Sequence, residues 1–123
     1  MANSATVGGS LIYSGNNINL SVAVQSLAVT VAGNGLESLA SVTVPTTAGA
    51  IPLGTVTSPG GWLFVKNTDA TNFMTILTGT GGIAFAKILP GEFCLLRLAP
   101  NLTAPFWKAD TATVAAQFVI LDL

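Results

Sequence analysis

Histidine is absent from this sequence and charge is scarce. Without an imidazole there is no His general base, no Ser–His or Cys–His nucleophilic pair and no His metal ligand, which removes most hydrolase templates. Charged side chains make up 7% of the chain, against about 25% in an average soluble domain. They are Glu37, Lys66, Asp69, Lys87, Glu92, Arg97, Lys108, Asp110 and Asp122. A single cysteine, Cys94, forbids an internal disulfide, and its setting in EFCLLRL reads as a small buried hydrophobe. A reactive thiol needs an electropositive, partly open site. Arg97 lies three residues on, which in a strand is the opposite face.

Four basic residues and a net charge of −1 leave no footprint for a phosphate backbone, so no nucleic-acid partner is expected. The opening MANSATVGGS has neither a positive region nor a continuous apolar one, so no targeting signal is expected and synthesis is assigned to the cytoplasm. No membrane partner is expected either. A spanning helix needs about 20 mainly apolar residues, whereas LSVAVQSLAVTVAG (20–33) is interrupted by Ser21, Gln25, Ser26 and Thr30. The nine aromatics do not form the girdles of a membrane barrel.

What the chain does have is hydrophobic residues at 50% within 123 positions, most simply one domain. So small a domain must cover much of its surface with Ala, Val, Thr, Ser, Asn and Gly, and little charge keeps copies apart. Part of the surface is therefore expected to be covered by other subunits. Short apolar runs recur between turns: SLIYS (10–14), the stretch 20–32, LASVTV (39–44), AIPLGTV (50–56), GWLFVKN (61–67), NFMTILT (72–78), IAFAKIL (83–89), EFCLLRLA (92–99), PFWKA (105–109) and AAQFVILDL (115–123). The turns are SGNN, AGNG, SPGG, NTDATN, GTGG, PG and PN, rich in residues that accept positive φ or fix it. AGNGLESLASV has some helical spacing, but its glycines and the following VTV favour strand. The expected fold is all-β, a single antiparallel β-sandwich over 11–123, jelly-roll-like or immunoglobulin-like. Residues 1–10, small and without a bulky anchor, are either a disordered tail or an arm ordered on a neighbour.

Within 20–33, Val22 and Val24 share one face while Leu27, Val29 and Val31 share the other. The phase switch at Gln25–Ser26 implies a β-bulge, or a strand that passes to another partner. GWLFV, EFCLLRL and QFVIL are nearly continuous apolar runs, which suggests strands covered on both faces and a second layer from another chain. The arm and the uncharged first strands are the expected contact surfaces, with Val7, Leu11, Tyr13, Val22, Val24, Leu27, Val29 and Val31 as interface residues.

Candidate chemistry is thin. The five carboxylates, at 37, 69, 92, 110 and 122, are scattered, and no pair is selected for acid–base work. Asn67, Asp69 and Asn72 in KNTDATN offer oxygens to Ca²⁺, but one carboxylate is little for such a site and an Asx-type turn is favoured. GTGG (79–82) lacks the helix of a phosphate-cradling loop and reads as a hairpin turn. Trp62, Trp107, Tyr13, Phe73 and Phe106 form the alternative, a stacking platform for sugars in a carbohydrate-binding module for host recognition. In that reading Trp62 belongs to the core and Trp107, after two prolines, lies nearer the surface. The sequons at Asn19 and Asn101 carry little weight without a secretory signal. No catalytic residue, cofactor or metal ligand is assigned.

GGWLFVKNTDATNFMTI, LPGEFCLLRLAP and FWKADTATVAAQFVILDL together resemble small β-sandwich virion proteins of tailed bacteriophages, over roughly residues 60–123. Residues 1–59 carry no such resemblance. The resemblance implies a non-enzymatic capsid decoration (cement) protein, or a related head, tail or head-fibre component, located in the virion. It further implies a homo-oligomer, with a trimer as one form, bound to the major capsid protein or another virion protein. A cement protein sits across joints between capsid subunits and resists the internal pressure of packaged DNA. Apolar, charge-poor contact area suits that task.

Overall fold

In a computed structural model the chain is all-β, and residues 3–31, 35–57, 61–99 and 105–122 are described below. Ten strands follow in order: β1 (Asn3–Gly15), β2 (Ile18–Val31), β3 (Leu36–Val44), β4 (Gly49–Ala50), β5 (Trp62–Asn67), β6 (Met74–Leu77), β7 (Ala84–Ile88), β8 (Phe93–Arg97), β9 (Phe106–Ala109) and β10 (Val114–Leu121). Each of the ten apolar runs contains or contributes to one of them. Among the described residues no helix is long and apolar enough to cross a membrane.

The chain divides into two compact units, Met1–Ala32 and Gly33–Leu123. The second is a two-sheet sandwich. One sheet has the order β3-β10-β5-β8 and the other β4-β9-β6-β7, with every pair antiparallel. The chain crosses between sheets at β3–β4, β4–β5, β5–β6, β7–β8, β8–β9 and β9–β10. Eight strands in that order make a double-sheet jelly roll rather than an immunoglobulin-like fold. Alternation then sets the core: Leu63 and Val65 of β5 and Val114, Ala116, Phe118 and Ile120 of β10 point inward against Met74 and Ile76 of β6 and Trp107 and Ala109 of β9. Trp107 and Phe118 meet edge-to-face across the sheets, with centroids 5.4 Å apart.

Two boundaries depart from the sequence reading. The sandwich begins with β3 and not near residue 11, because SLIYS pairs with β2 instead of joining either sheet. The small residues 3–10, expected as a tail or arm, continue β1 and pair along β2 as far as Val31. Asn, Ala and Gly are poor strand formers, so the ladder here rests on main-chain pairing with β2. Of AIPLGTV only Ala50, the second residue of β4, is strand. Pro52 lacks a ladder donor and Gly54 takes a φ of 57°, so the segment leaves the sheet while Ile51 and Val56 still fill the core. The expected turns at PN and in most of AGNG and SPGG lie outside the described residues, as does the sequon at Asn101.

Candidate interaction surface

The first unit is a β-hairpin closed by two residues. Asn16 and Asn17 have φ of 49° and 62°, and Gly15 pairs with Ile18. Two successive positive φ values mark a type I′ turn, whose twist matches that of the strands, and Asn is a residue that tolerates them. The Ser14 hydroxyl adds a 2.9 Å hydrogen bond to Asn19 Oδ1 beside this turn.

From the turn the ladder runs Tyr13↔Leu20, Leu11↔Val22 and Gly9↔Val24, then shifts and resumes at Val7↔Leu27, Ala5↔Val29 and Asn3↔Val31. Between Val7 and Gly9 one residue intervenes; between Val24 and Leu27 there are two. The extra residue is a β-bulge at Gln25–Ser26, where the sequence changes phase, and β2 keeps a single partner throughout. Gly8 sits opposite it, and a Cβ there would lie 2.8 Å from the Gln25 carbonyl oxygen and 2.9 Å from that of Val24. Only glycine fits that approach without a shift.

The bulge has a consequence for the faces. Directly opposed residues share a face, and β1 keeps its parity from Val7 through Gly9 to Leu11 and Tyr13. The inserted residue therefore returns Leu27, Val29 and Val31 to the side already held by Val22 and Val24. All eight expected interface residues thus lie on one face of the hairpin. Leu11 is 66% exposed and Val24 56%; Tyr13, Val22 and Leu27 are also exposed, Val7 and Val29 half-buried and Val31 buried. Ile18 and Leu20 extend the same face toward the turn and are exposed. The sequence reading omitted them, although the alternation through Val22 and Val24 continues to both. The opposite face carries Ser4, Thr6, Ser10, Ser14, Asn19, Ser21, Ala28 and Thr30, with Ile12 its large apolar residue.

In the sandwich, the other candidates resolve into structural roles. Asn67, fully buried, donates from Nδ2 to the carbonyls of Asn72 (2.9 Å) and Ile88 (3.0 Å) and accepts from the Asp69 N–H (2.8 Å). Asp69 in turn accepts from the N–H groups of Thr71 and Asn72 at 2.9 and 2.7 Å. The Asn72 N–H, and then that of Thr71, holds the Asp69 carboxyl below the usual carboxylate range. KNTDATN is a pair of interlocked Asx turns, and among the described residues no three His, Cys, Asp or Glu side chains gather to hold a metal. GTGG is a hairpin turn between β6 and β7, with Gly82 N–H donating to Gly79 O at 3.0 Å.

The two tryptophans exchange the places expected of them. Trp107 is 2% exposed and lies in the core, because Pro105, Trp107 and Ala109 share the inward face of β9. Trp62 is half-buried and points away from the core, since Leu63 and Val65 take the inward positions of β5. Phe73 is covered by the Lys87 ammonium 4.1 Å from its ring centroid, Phe106 is half-buried, and Tyr13 belongs to the hairpin. The aromatics proposed as a platform are thus not presented together on the sandwich. Cys94 is half-buried against the core on the opposite face from Arg97, and burial pushes its thiol up, partly offset by a hydrogen bond with the Val65 backbone.

Fold and surface define a class: a jelly-roll domain whose chain also carries a charge-free hairpin with an apolar face. No family model, curated protein or solved structure matches the chain.

Proposed function

We propose that this chain is a non-catalytic structural subunit of a tailed-phage virion, a decoration or cement protein that self-associates and binds the major capsid protein lattice. The observation that carries the reading is exposed apolar area on a charge-poor body. On the hairpin, Leu11, Tyr13, Ile18, Leu20, Val22, Val24 and Leu27 are exposed along one face; on the sandwich, Ile83, Phe85 and Phe93 are exposed as well, at 79%, 49% and 62%. An apolar patch on a protein surface is often an interaction site. Obligate interfaces are richer in such area and poorer in charge than transient ones. The jelly roll is also an architecture used in viral capsids, which supports the setting by analogy of fold. The carbohydrate-binding alternative loses its anchor, since Trp107 is inside the core.

Mass spectrometry of purified particles tests this reading. Copies in the hundreds, in fixed ratio to the major capsid protein, are expected for a shell-wide cement, and a handful of copies would instead assign the chain to a tail or head fibre. Absence from particles that otherwise contain their full set of proteins would overturn the virion reading.

A further inference from the structure

The sandwich has four edge strands, and three of them are guarded against further pairing. β3 turns Glu37 to the inner side of its sheet opposite Ile120, β4 is two residues long, and β7 carries Lys87 and a bulge at Phe85, the residue left over between Ile76↔Ala86 and Leu77↔Ala84. Inward charge, short length, lysine and bulges are the usual means by which an edge refuses another strand. β8 has none of them before its last residue: Phe93, Cys94, Leu95 and Leu96 are uncharged, and their register with β5 runs without a shift. The main chain shows what this edge offers. Asn67 N–H donates to Glu92 O and Leu98 N–H to Gly61 O, each at 2.9 Å. Bonded and non-bonded pairs alternate in an antiparallel ladder, so Cys94 and Leu96 are bonded to β5, while the N–H and C=O groups of Phe93, Leu95 and Arg97 point to the open side. Among the described residues no strand pairs there.

We infer that β8 accepts an extended segment of another protein as a fifth strand of its sheet, an apolar segment with an Asp or Glu beside Arg97. In strand addition the main chain supplies affinity and the alternating side chains supply specificity. On the inner side, Cys94 and Leu96 pack on the core yet stay half-buried, so the core is open at this edge and an added strand with apolar side chains closes it. On the outer side, Phe93 and Arg97 are exposed and Leu95 is half-buried. Charge selects the partner. Arg97 stands beside Trp62 and Lys66 beside Phe93, and among the described residues the outward positions of β3, β10, β5 and β8 hold these two cations and no carboxylate. A second copy brings the same cations and no acid to the joint, whereas a segment bearing Asp or Glu complements them. The inference rests on the reading of the chain as a subunit that works by binding, and it names the chemistry of one partner. Particle composition tests the setting and peptide selection tests the edge, so each can fail without the other.

The experiment pans a library of random linear peptides against the full chain and measures the most enriched peptide by fluorescence polarisation. Enrichment of apolar sequences that carry Asp or Glu is expected. Leu95→Pro removes an N–H that faces the open side and none from the ladder with β5, a position where an edge strand tolerates proline. It should weaken the peptide about tenfold or more, whereas Leu95→Ala, which keeps the N–H, should weaken it far less. Arg97→Gln should cost about fivefold. Arg97→Glu, an exposed change at the end of β8 that decides the matter even where the proline variant fails to fold, should lose the acidic peptide and enrich Lys- or Arg-bearing ones in its place. Tryptophan emission and the urea midpoint report whether each variant is folded. The inference is overturned by a library that yields no enriched peptide, by a folded Leu95→Pro that binds as well as Leu95→Ala, or by an Arg97→Glu protein that selects the same peptides as wild type. A wild type whose mass by light scattering exceeds one subunit, and falls to one only in Leu95→Pro, would also overturn it by placing a second copy on β8.

Discussion

Asn67 is the residue whose replacement should reveal most about what holds the sandwich together. It lies at the end of β5 with no exposed surface and makes three side-chain hydrogen bonds that tie the 67–72 loop to the end of β7. A net contribution of about 1 kcal/mol per bond puts Asn67→Ala at roughly 3 kcal/mol, with more if the Ile88 carbonyl is left unpaired. That is a large share of the 5–15 kcal/mol typical of a domain. Asn67→Asp is the sharper case. An oxygen replaces Nδ2 opposite the Asn72 and Ile88 carbonyls, so an ionised side chain faces two acceptors in a buried site and its folded pKa must rise above the unfolded ~3.9. The contribution of a raised carboxyl is fully present below that unfolded value and is lost as pH rises through the folded one. The variant should thus be closest to wild type near pH 3–4 and weakest near pH 7. Urea titration followed by tryptophan emission measures both effects. With a slope of about 2 kcal/mol/M, 3 kcal/mol moves the midpoint by about 1.5 M. An Asn67→Ala midpoint within about 0.3 M of wild type at unchanged slope would refute the reasoning.

Further outcomes follow from the same geometry. Trp107→Ala should cost about 3–5 kcal/mol by urea titration, as expected of an aromatic removed from a packed core, and should leave no glycan signal to lose on an array; a loss within 1 kcal/mol would contradict its burial. Asp69, with its pKa lowered by the Asn72 and Thr71 N–H groups, contributes stability that is present above ~3.9 and lost as pH falls through its lower folded value. Asp69→Asn should therefore flatten the acid limb of the stability profile below pH 4, and an unchanged limb would count against the turn's role. Cys94 should react with iodoacetamide at pH 7.5 at least tenfold more slowly in the folded chain than in urea, since burial raises its thiol; equal rates would show the site open.

Much of the sandwich is legible in the sequence because it depends on local alternation. Ten apolar runs correspond to ten strands, and VTV correctly outweighs the helical spacing of LESLA. The parity of Trp62 and Trp107 is legible in the lysines of the same runs, since Lys66 shares a face with Trp62 and Lys108 takes the face opposite Trp107. The sequence reading weighed the flanking residues, a continuous apolar run around Trp62 and two prolines before Trp107, over that alternation. The choice of jelly roll over immunoglobulin-like order is long-range, because it rests on β3 and β5 both pairing with β10. Residues 3–9 gave no strand signal, being small; their order comes from the bulkier β2. The phase switch, by contrast, is written into Val22, Val24, Leu27 and Val29, while the pairing with β1 decides for a bulge over a change of partner and brings both sets to one face. Asn67 was visible only as a turn residue, since nothing local shows that Ile88 lies within reach.

The two-residue turn at Asn16–Asn17 also sets an order of events. Every pairing in the hairpin is between residues fewer than 30 apart, whereas β3 and β10 meet across some 70 to 85 residues. Hairpins close in about 1–10 μs, while sheets built from distant pairings take milliseconds to seconds. At synthesis rates of about 5–20 residues per second, residue 31 also precedes residue 121 by roughly 5–18 seconds. For that interval the chain ahead of the sandwich is a two-stranded hairpin, marginal alone in water, so it opens and closes and its apolar residues meet solvent repeatedly before the domain that follows has formed.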